Sequence, residues 1–169
     1  VIYESGMTCF ASTADEYLAL RDEVKYYYKN FPGRWADLKL LSGEVGENMS
    51  IARKTEDGKW YIGSISEKSR TDTFSLDFLD SGKKYTAHIY TDKADRKDVN
   101  CEIKTLKSTD TLTLSQRANG GYVVVLVAEN AENTYEVKKE SVSNGTISTD
   151  VSSAKQGDTV TVSATPNEG

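Results

Sequence analysis

Proline, cysteine and histidine are scarce in this sequence, and no long hydrophobic run occurs in it. Its 169 residues include two prolines, two cysteines and one histidine. No apolar segment approaches the ~20 residues that a membrane-spanning helix needs, so the sequence predicts no membrane span. Cys9 and Cys101 match neither a zinc-binding pattern nor a disulfide-rich scaffold. Two free thiols are the simpler interpretation, and a disulfide between them is the alternative.

An excess of positive charge is also lacking. The formal net charge is -5, and lysines are interspersed with aspartates without forming a basic stripe. Nucleic acid is therefore disfavoured as a partner, because a surface that follows phosphates needs clustered Lys and Arg. The sequence starts at Val1 inside an apolar pattern and stops after ATPNEG without a terminal cap. We interpret it as a piece of a longer polypeptide.

A helix is predicted close to the start of the sequence. Thr13 and Glu16 have the spacing of a capping box, in which each side chain bonds to the backbone of the other residue. Apolar residues then recur at intervals of three and four until Pro32 ends the pattern. We expect one helix from Thr13 to Lys29, which packs on the rest of the chain through Tyr and Leu side chains.

From about residue 36 to residue 129, short segments of β pattern alternate with turns. Asp57-Gly58 between two runs rich in β-branched and aromatic residues is typical of a hairpin. The regular spacing predicts a mainly β fold, an antiparallel β-sandwich of about eight strands preceded by a short helical segment. The pattern of residues 130–169 predicts a polar linker and a smaller β unit, which is too short to bury a core alone. The expected core of the sandwich is Ile51, Ile62, Phe74, Leu76, Phe78, Tyr85, Ile89, Leu112 and Val124.

Acidic residues are the first candidates for a functional site. Asp92, Asp95 and Asp98 in the segment TDKADRKD could in principle meet around calcium, but their spacing is not that of an EF-hand loop. The interleaved Lys and Arg would repel a cation, so a solvated turn is the favoured interpretation. Glu4 is the one acid close to an apolar segment that could line a larger cavity. A structural role is favoured for it, because glycoside hydrolysis needs two carboxyl groups at a defined separation.

Histidine and the aromatic residues give no clearer site. His88 alternates with Tyr85, Ala87 and Ile89, so we expect it on the solvent side of its strand. Trp35, Trp60, Tyr61 and Tyr122 could stack on sugar rings, and packing is the favoured alternative. Trp60 and Tyr61 are consecutive in a predicted strand and therefore face opposite sides. No residue of this sequence is predicted to be catalytic, cofactor-binding or metal-binding.

Three segments resemble a known family when taken in order: VIYESGMTCFASTADEYL, FPGRWADLKLLSGEVGENMSIARKTEDGKWYIGSIS and LDFLDSGKKYTAHIYTDKAD. They are similar to the C-terminal part of glycoside hydrolase family 97, over residues 1 to about 127. The resemblance implies an N-terminal β-sandwich, a (β/α)8 catalytic barrel and a C-terminal β-sandwich in the whole protein. Residues 1–35 would then be the helical end of the barrel, and residues 36–129 the C-terminal sandwich.

The family includes secreted bacterial α-glucosidases and α-galactosidases. The resemblance therefore implies a non-catalytic sandwich that supports the barrel of an α-glycosidase acting on oligo- or polysaccharides. The catalytic glutamates and any calcium ligands of the family lie in the barrel, upstream of Val1, so none is assigned to a residue here. We expect no cofactor in this chain, which by itself is expected to be inactive.

The end of the sequence resembles a second family. GTISTDVSSAKQGDTVTVSATPNEG is similar to the divergent internalin-type B-repeat of bacterial surface proteins. That resemblance implies a secreted or cell-surface location in a bacterium. It also leaves a second function open, since a glycan-binding or adhesion module of a cell-surface protein could carry the same repeat.

Overall fold

Two short helices precede the strands in the computed structural model, which describes residues 1–3, 12–95, 97–129, 134–139, 142–155 and 158–167. The chain divides into two units, Val1–Glu129 and Asn130–Gly169. No described helix is long and apolar enough to cross a bilayer. The elements of the first unit are α1 (Ala14–Ala19), α2 (Asp22–Asn30), β1 (Asp37–Glu44), β2 (Asn48–Lys54), β3 (Trp60–Ser66), β4 (Arg70–Ser75), β5 (Lys84–Asp92), β6 (Val99–Lys107), β7 (Thr111–Gln116) and β8 (Gly120–Ala128).

The first unit is an antiparallel β-sandwich, so the predicted fold class is confirmed. One sheet has six strands in the order β1-β2-β3-β8-β5-β6, and β4 pairs with β7 in the second sheet. All of these neighbours run antiparallel. The predicted β2–β3 hairpin is present, and Gly58 adopts a φ of 84° at its turn, a conformation that glycine adopts without steric cost.

The main hydrophobic core lies between the two sheets. We call the side of the six-stranded sheet that faces β4 and β7 its inner face. Trp60, Ile62 and Leu126 are buried there together with Leu112 and Leu114 of β7. Of the nine expected core residues, Phe74 and Phe78 are partly buried against this core. Six others are buried in it: Ile62, Leu76, Tyr85, Ile89, Leu112 and Val124. Ile51 is also buried, but it lies opposite Gly63 in the β2–β3 pair and therefore on the other side of the six-stranded sheet.

The chain leaves β4 directly after Phe74 and Ser75 and enters a turn. β4 ends at Ser75, and the Leu76 backbone N–H donates to the Asp110 carbonyl at 3.1 Å. A turn follows, in which the Leu79 N–H donates to the Leu76 carbonyl at 2.9 Å. Leu76 and Leu79 are both buried although they are not in a strand. Both leucines therefore reach the core from a turn and not from a strand.

A polar network crosses the sandwich at one end of this core. The Asp72 side chain is 3% exposed, and its Oδ1 lies 2.6 Å from Arg70 Nη2. Its Oδ2 accepts hydrogen bonds of 3.0 Å from Gln116 Nε2 and from Tyr122 Oη. Ser50 donates to the same oxygen at 3.4 Å. Because an unsatisfied buried carboxylate is costly, these donors fix the position of β4–β7 over the six-stranded sheet.

The predicted single helix is wrong, because the structure has two helices with a break between them. The Thr13–Glu16 capping box is present at the start of α1. Leu20 and Arg21 then adopt extended ψ angles of 154° and 150°. Arg21 Nη2 bonds to Asp98 Oδ1 at 3.0 Å and to the Val99 carbonyl at 2.8 Å. These contacts with the start of β6 accompany the change of direction, and the helical periodicity does not reveal them.

Helix α2 packs on the opposite side of the six-stranded sheet, which we call the outer face. Tyr90 Oη donates to the Glu23 carbonyl at 2.7 Å, in the first turn of α2. Tyr61 Oη donates to the carbonyl of Asn30, the last residue of α2. Burial raises the pKa of both tyrosines, so both remain neutral hydrogen-bond donors. Docking of α2 through tyrosines is confirmed.

A layer of aromatic rings lies between α2 and the outer face. We name it the aromatic layer. The Tyr27 and Tyr90 rings are in contact, with a centroid distance of 5.8 Å. The Phe31 and Trp35 rings meet edge to face, with a centroid distance of 5.9 Å. Trp35 also packs edge to face on Tyr61 at 5.5 Å. Burial raises the pKa of Tyr27 to about 12. The aromatic layer consists of Tyr26, Tyr27, Phe31, Trp35, Tyr61 and Tyr90.

His88 lies beneath α2, and its expected position in solvent is wrong. The imidazole ring is half-buried and stacks on the Tyr26 ring with a centroid distance of 4.1 Å. Its side of the strand was predicted correctly, opposite Tyr85, Ala87 and Ile89. The helix covers that side as well. Burial lowers the pKa of His88, because the charged imidazolium is less well solvated there than the neutral ring.

In its described residues, the second unit has two small antiparallel strand pairs. β9 (Thr134–Glu136) pairs with β11 (Ser153–Lys155), and β10 (Gly145–Thr149) pairs with β12 (Val162–Pro166). The described residues of β12 are all exposed.

Replacement of Asp72 by alanine should destabilise the first unit by about 3 kcal/mol, because it leaves Arg70, Gln116 and Tyr122 without their buried acceptor. Urea unfolding followed by tryptophan fluorescence measures this loss, since both tryptophans lie in Val1–Glu129. Asp77→Ala is the control, an exposed carboxylate paired with Lys39 that should cost less than about 1 kcal/mol. Equal losses in the two variants would contradict the role given to the polar network.

The free energy of unfolding should fall as the pH decreases below about 6.5, the ordinary pKa of histidine. His88 takes up its proton at a lower pH in the folded chain than in the unfolded chain, so acid favours the unfolded state. His88 is the only histidine, and its ring resonances can be followed alone by NMR. Urea unfolding at several pH values should show this loss in the native chain and not in His88→Phe. A folded-state pKa above 6.5 would contradict the account.

Candidate functional site

The outer face of the six-stranded sheet is nearly as apolar as the inner face. In β3 the residues Tyr61, Gly63 and Ile65 alternate with the core residues of WYIGSIS. In β8, Val123 and Val125 likewise alternate with core residues. Both strands are therefore almost continuous apolar segments. Strands of this kind need cover on both faces. The candidate functional surface is the part of the outer face that the aromatic layer leaves uncovered.

The N-terminal residues cover a small part of this face. Val1 belongs to the apolar cluster formed by Tyr61, Tyr90 and Val125. A side chain at Gly63 would collide with Val1, since an added Cβ would lie 2.7 Å from Val1 Cβ. The glycine therefore allows the first residues to lie directly on the sheet.

Next to Ile2, the outer face opens into a shallow apolar groove of about 860 Å3. Leu40, Val45, Met49 and Ile65 line it, and all four are exposed. Met49 and Ile65 are directly opposite each other in the β2–β3 pair, so their side chains form one continuous surface. Exposed apolar residues clustered in this way are typical of a surface that contacts another protein or domain.

Acidic side chains surround the groove. Glu44, Glu47 and Glu67 line its rim, and Lys68 lies 3.6 Å from Glu47 in an exposed ion pair. A hydrophobic centre with a charged rim is the usual composition of a protein–protein contact. The described residues that line the groove form no constellation of groups that could do chemistry.

The three aspartates considered for calcium do not form a site together. Asp98 accepts hydrogen bonds from Lys93 Nζ at 2.7 Å and from Arg21 at 3.0 Å, and these donors lower its pKa. Asp92 accepts from the Gly121 N–H at 2.8 Å, and Asp95 accepts from the Lys97 N–H at 3.1 Å. Two cations beside Asp98 do not fit a calcium ligand set. Across the described ranges, no group of three potential metal ligands converges.

The other sequence candidates are also dispersed. Trp60 and Tyr122 are buried in the inner core, whereas Trp35 and Tyr61 belong to the outer aromatic layer. They therefore do not form one sugar-stacking platform. Cys101 is a free, partly buried thiol, and burial raises its pKa. Glu4 and Cys9 lie outside the described residues.

Sequence reasoning missed the aromatic layer and the groove. The available signal was the apolar character of β3 and β8 at both odd and even positions, which indicates cover on both faces. The consecutive tyrosines of KYYYK supplied the second signal. The four groove residues come from three separate strands and one turn, and only the register of these strands brings them together.

The family of this chain follows from comparison with known proteins. A model described as "Glycosyl-hydrolase 97 C-terminal, oligomerisation" matches residues 34–127. A second model, "Divergent InlB B-repeat domain", matches residues 135–169. A "Probable retaining alpha-galactosidase" of Streptomyces bingchenggensis (strain BCW-1) is 29% identical over 126 residues. The matched region is 74% of this chain and 19% of that protein.

Solved structures give the same result. A glycoside hydrolase family 97 enzyme from Pseudoalteromonas sp. strain K8, solved in complex with acarbose, is 32% identical with a TM-score of 0.62. The match covers 68% of this chain and 19% of the enzyme. A β-arabinopyranosidase shares the fold, at 19% identity and a TM-score of 0.56, over 69% of this chain and 18% of its own.

The match to the family model covers more than half of the chain, and it coincides with the sandwich strands β1 to β8. The part of each relative that matches this chain is only about a fifth of the length of that relative. It belongs to glycoside hydrolase family 97, of which its sandwich is the C-terminal domain.

Proposed function

We propose that this chain is the C-terminal, non-catalytic part of an exported bacterial α-glycosidase, an α-glucosidase or α-galactosidase. Its sandwich would support the catalytic barrel of the same polypeptide. The observation that carries the proposal is the exposed apolar groove on the outer face of the sheet, beside Val1 and Ile2. A groove with no converging catalytic groups fits a docking role better than a chemical one.

The energy available from such docking is substantial. Burial of a large apolar side chain is worth about 1.5–3 kcal/mol, so the four groove residues could together contribute roughly 6–12 kcal/mol. Association of separate proteins would cost a large part of this gain. A covalent link to the barrel lowers that cost, because a tethered surface acts at an effective concentration in the millimolar range. The groove is therefore suited to a partner within the same polypeptide.

The sugar chemistry belongs to the barrel in this proposal. Hydrolysis of a glycosidic bond needs two carboxyl groups that flank one bond, about 5–10 Å apart depending on the mechanism. Oligo- or polysaccharides would bind there, and any calcium would bind there too. The residues of this chain would contribute by covering the apolar surface of the barrel.

The B-repeat match supports export to the bacterial cell surface. It also favours the second candidate function, a glycan-binding or adhesion module, since surface repeats occur in proteins of that class. The two candidates differ in what the groove should contact. A docking domain buries the groove against the barrel, whereas an adhesion module leaves it free for an external ligand.

Replacement of groove residues in the full-length protein separates these cases. Leu40→Lys/Met49→Lys should lower the free energy of unfolding of the full-length enzyme by about 3–6 kcal/mol, since it removes two buried apolar contacts. In the 169-residue chain alone both residues are exposed, and the same change should cost less than about 1 kcal/mol. Lysine is chosen because the acidic rim tolerates it. Thermal and urea unfolding of both lengths, with and without the substitutions, measure the difference.

Val151→Lys, in the second unit, is the matched control and should have little effect at either length. Equal, small losses in both lengths would overturn the docking role and favour the adhesion module.

The chain alone should not hydrolyse aryl α-glucosides or α-galactosides. Hydrolysis that is abolished by substitution of one of its own carboxylates would contradict the non-catalytic assignment.

A further inference from the structure

Strand β6 is the last strand of the six-stranded sheet, and no described strand pairs with its outer edge. Its nine residues pair with β5 in continuous register, without a bulge. The opposite edge strand, β1, is irregular between Leu40 and Ser42. It also carries Lys39, whose side chain pairs with Asp77 across the sandwich. A bulge is one device that prevents edge pairing, and β6 has none. Its two charged residues on the inner side, Glu102 and Lys104, pair with each other at 3.0 Å.

The backbone of β6 presents its odd-numbered residues to the free edge. The Val99 carbonyl accepts a hydrogen bond from Arg21, and the Lys107 N–H donates to Asp110 Oδ2 at 2.8 Å. Opposite Lys107, the Lys84 carbonyl accepts from the Glu129 N–H and so points toward β8, away from β6. Alternate residues of an antiparallel strand direct their N–H and C=O groups to the same side. Cys101, Ile103 and Thr105 therefore direct theirs outward.

This segment is complementary to a second copy of itself. In antiparallel pairing about a two-fold axis at Ile103, Glu102 lies opposite Lys104 of the second copy, and Lys104 lies opposite its Glu102. Cys101 lies opposite Thr105 in the same way, so residues with outward backbone groups pair with each other. Ile103 itself is 61% exposed and would meet its own equivalent. Opposite charges directly across two strands are stabilising, and like charges are destabilising.

We propose that β6 is the dimerisation edge of this domain, where a second copy of the chain extends the sheet through antiparallel β6–β6 pairing centred on Ile103. The proposal rests on the proposed function and on the oligomerisation role that the matched family description assigns to the domain. An interface built mainly on one strand is small, so the dimer dissociates on dilution through the micromolar range.

Charge substitutions test the register directly. Glu102→Lys places lysines opposite each other in the dimer, and Lys104→Glu places glutamates opposite each other. Each should raise the dissociation constant of the 169-residue chain about tenfold, since two symmetric pairs change from attractive to repulsive. The double substitution, Glu102→Lys/Lys104→Glu, restores opposite charges and should bring the constant back to within about twofold of the native value. Sedimentation velocity at low salt and several concentrations measures all four proteins.

A mixture of the two single variants adds a sharper outcome. Glu102→Lys carries two lysines and Lys104→Glu carries two glutamates, so the mixed dimer is complementary although neither variant pairs well with itself. Glu47→Lys and Lys68→Glu are the matched controls, an exposed ion pair near the groove, away from β6, whose change should leave dimerisation unaltered. A native chain that stays monomeric would overturn the proposal. Dimerisation insensitive to the β6 charges would also overturn it, and would leave the role of the groove untouched.

A cysteine at the proposed axis gives an independent readout. In Ile103→Cys the two new thiols are opposite each other across the edge, at the Cα separation of about 5.5 Å that disulfides span. Mild oxidation should give a covalent dimer whose peptide map contains the 103–103 link. Leu40→Cys, similarly exposed on the other edge strand, should cross-link far less. Equal cross-linking of the two variants would contradict the assignment of the edge.

Discussion

The structure depends on a single constraint, a six-stranded sheet that is apolar on both faces. β3 and β8 lie at its centre, and side chains from both faces of these strands are buried. An antiparallel sheet commonly exposes one face to water, so a sheet of this kind needs two covers. On the inner face the cover is the β4–β7 pair, and on the outer face it is helix α2 with the aromatic layer. The two candidate surfaces, the groove and the β6 edge, lie outside the area that these covers protect.

The two covers are held by different means. Between the sheets, a buried carboxylate requires several donors at once, and Asp72 obtains them only when β4–β7 is correctly placed over Ser50 and Tyr122. A network of this type opposes slippage between layers. On the outer face, two tyrosine hydroxyls hold the first turn and the last residue of α2. The helix is nine residues long and cannot cover six strands, which leaves the groove near β1–β3 and the exposed Ile103 at β6.

Much of this architecture could be predicted from local patterns. The hairpin at Gly58, the capping box of Thr13 and Glu16, and most of the core follow from turn chemistry and alternation. The break at Arg21 could not be predicted, since its side chain bonds to residues 77 and 78 positions away. The prediction that His88 lies in solvent was wrong for the same reason, because the ring that covers it belongs to a helix distant in the sequence. The groove and the β6 edge depend on strand order, which alternation does not encode.

Native-state hydrogen exchange is the most direct test that the outer face needs its cover. The amides of α2 should exchange nearly as slowly as those of β3 and β8, since removal of the helix exposes buried apolar surface on the sheet. The amides of α1, whose residues are mostly exposed whereas those of α2 are mostly half-buried, should exchange much faster. Fast exchange throughout α2 while β3 and β8 remain protected would contradict the account, because the outer face would then be stable without the helix.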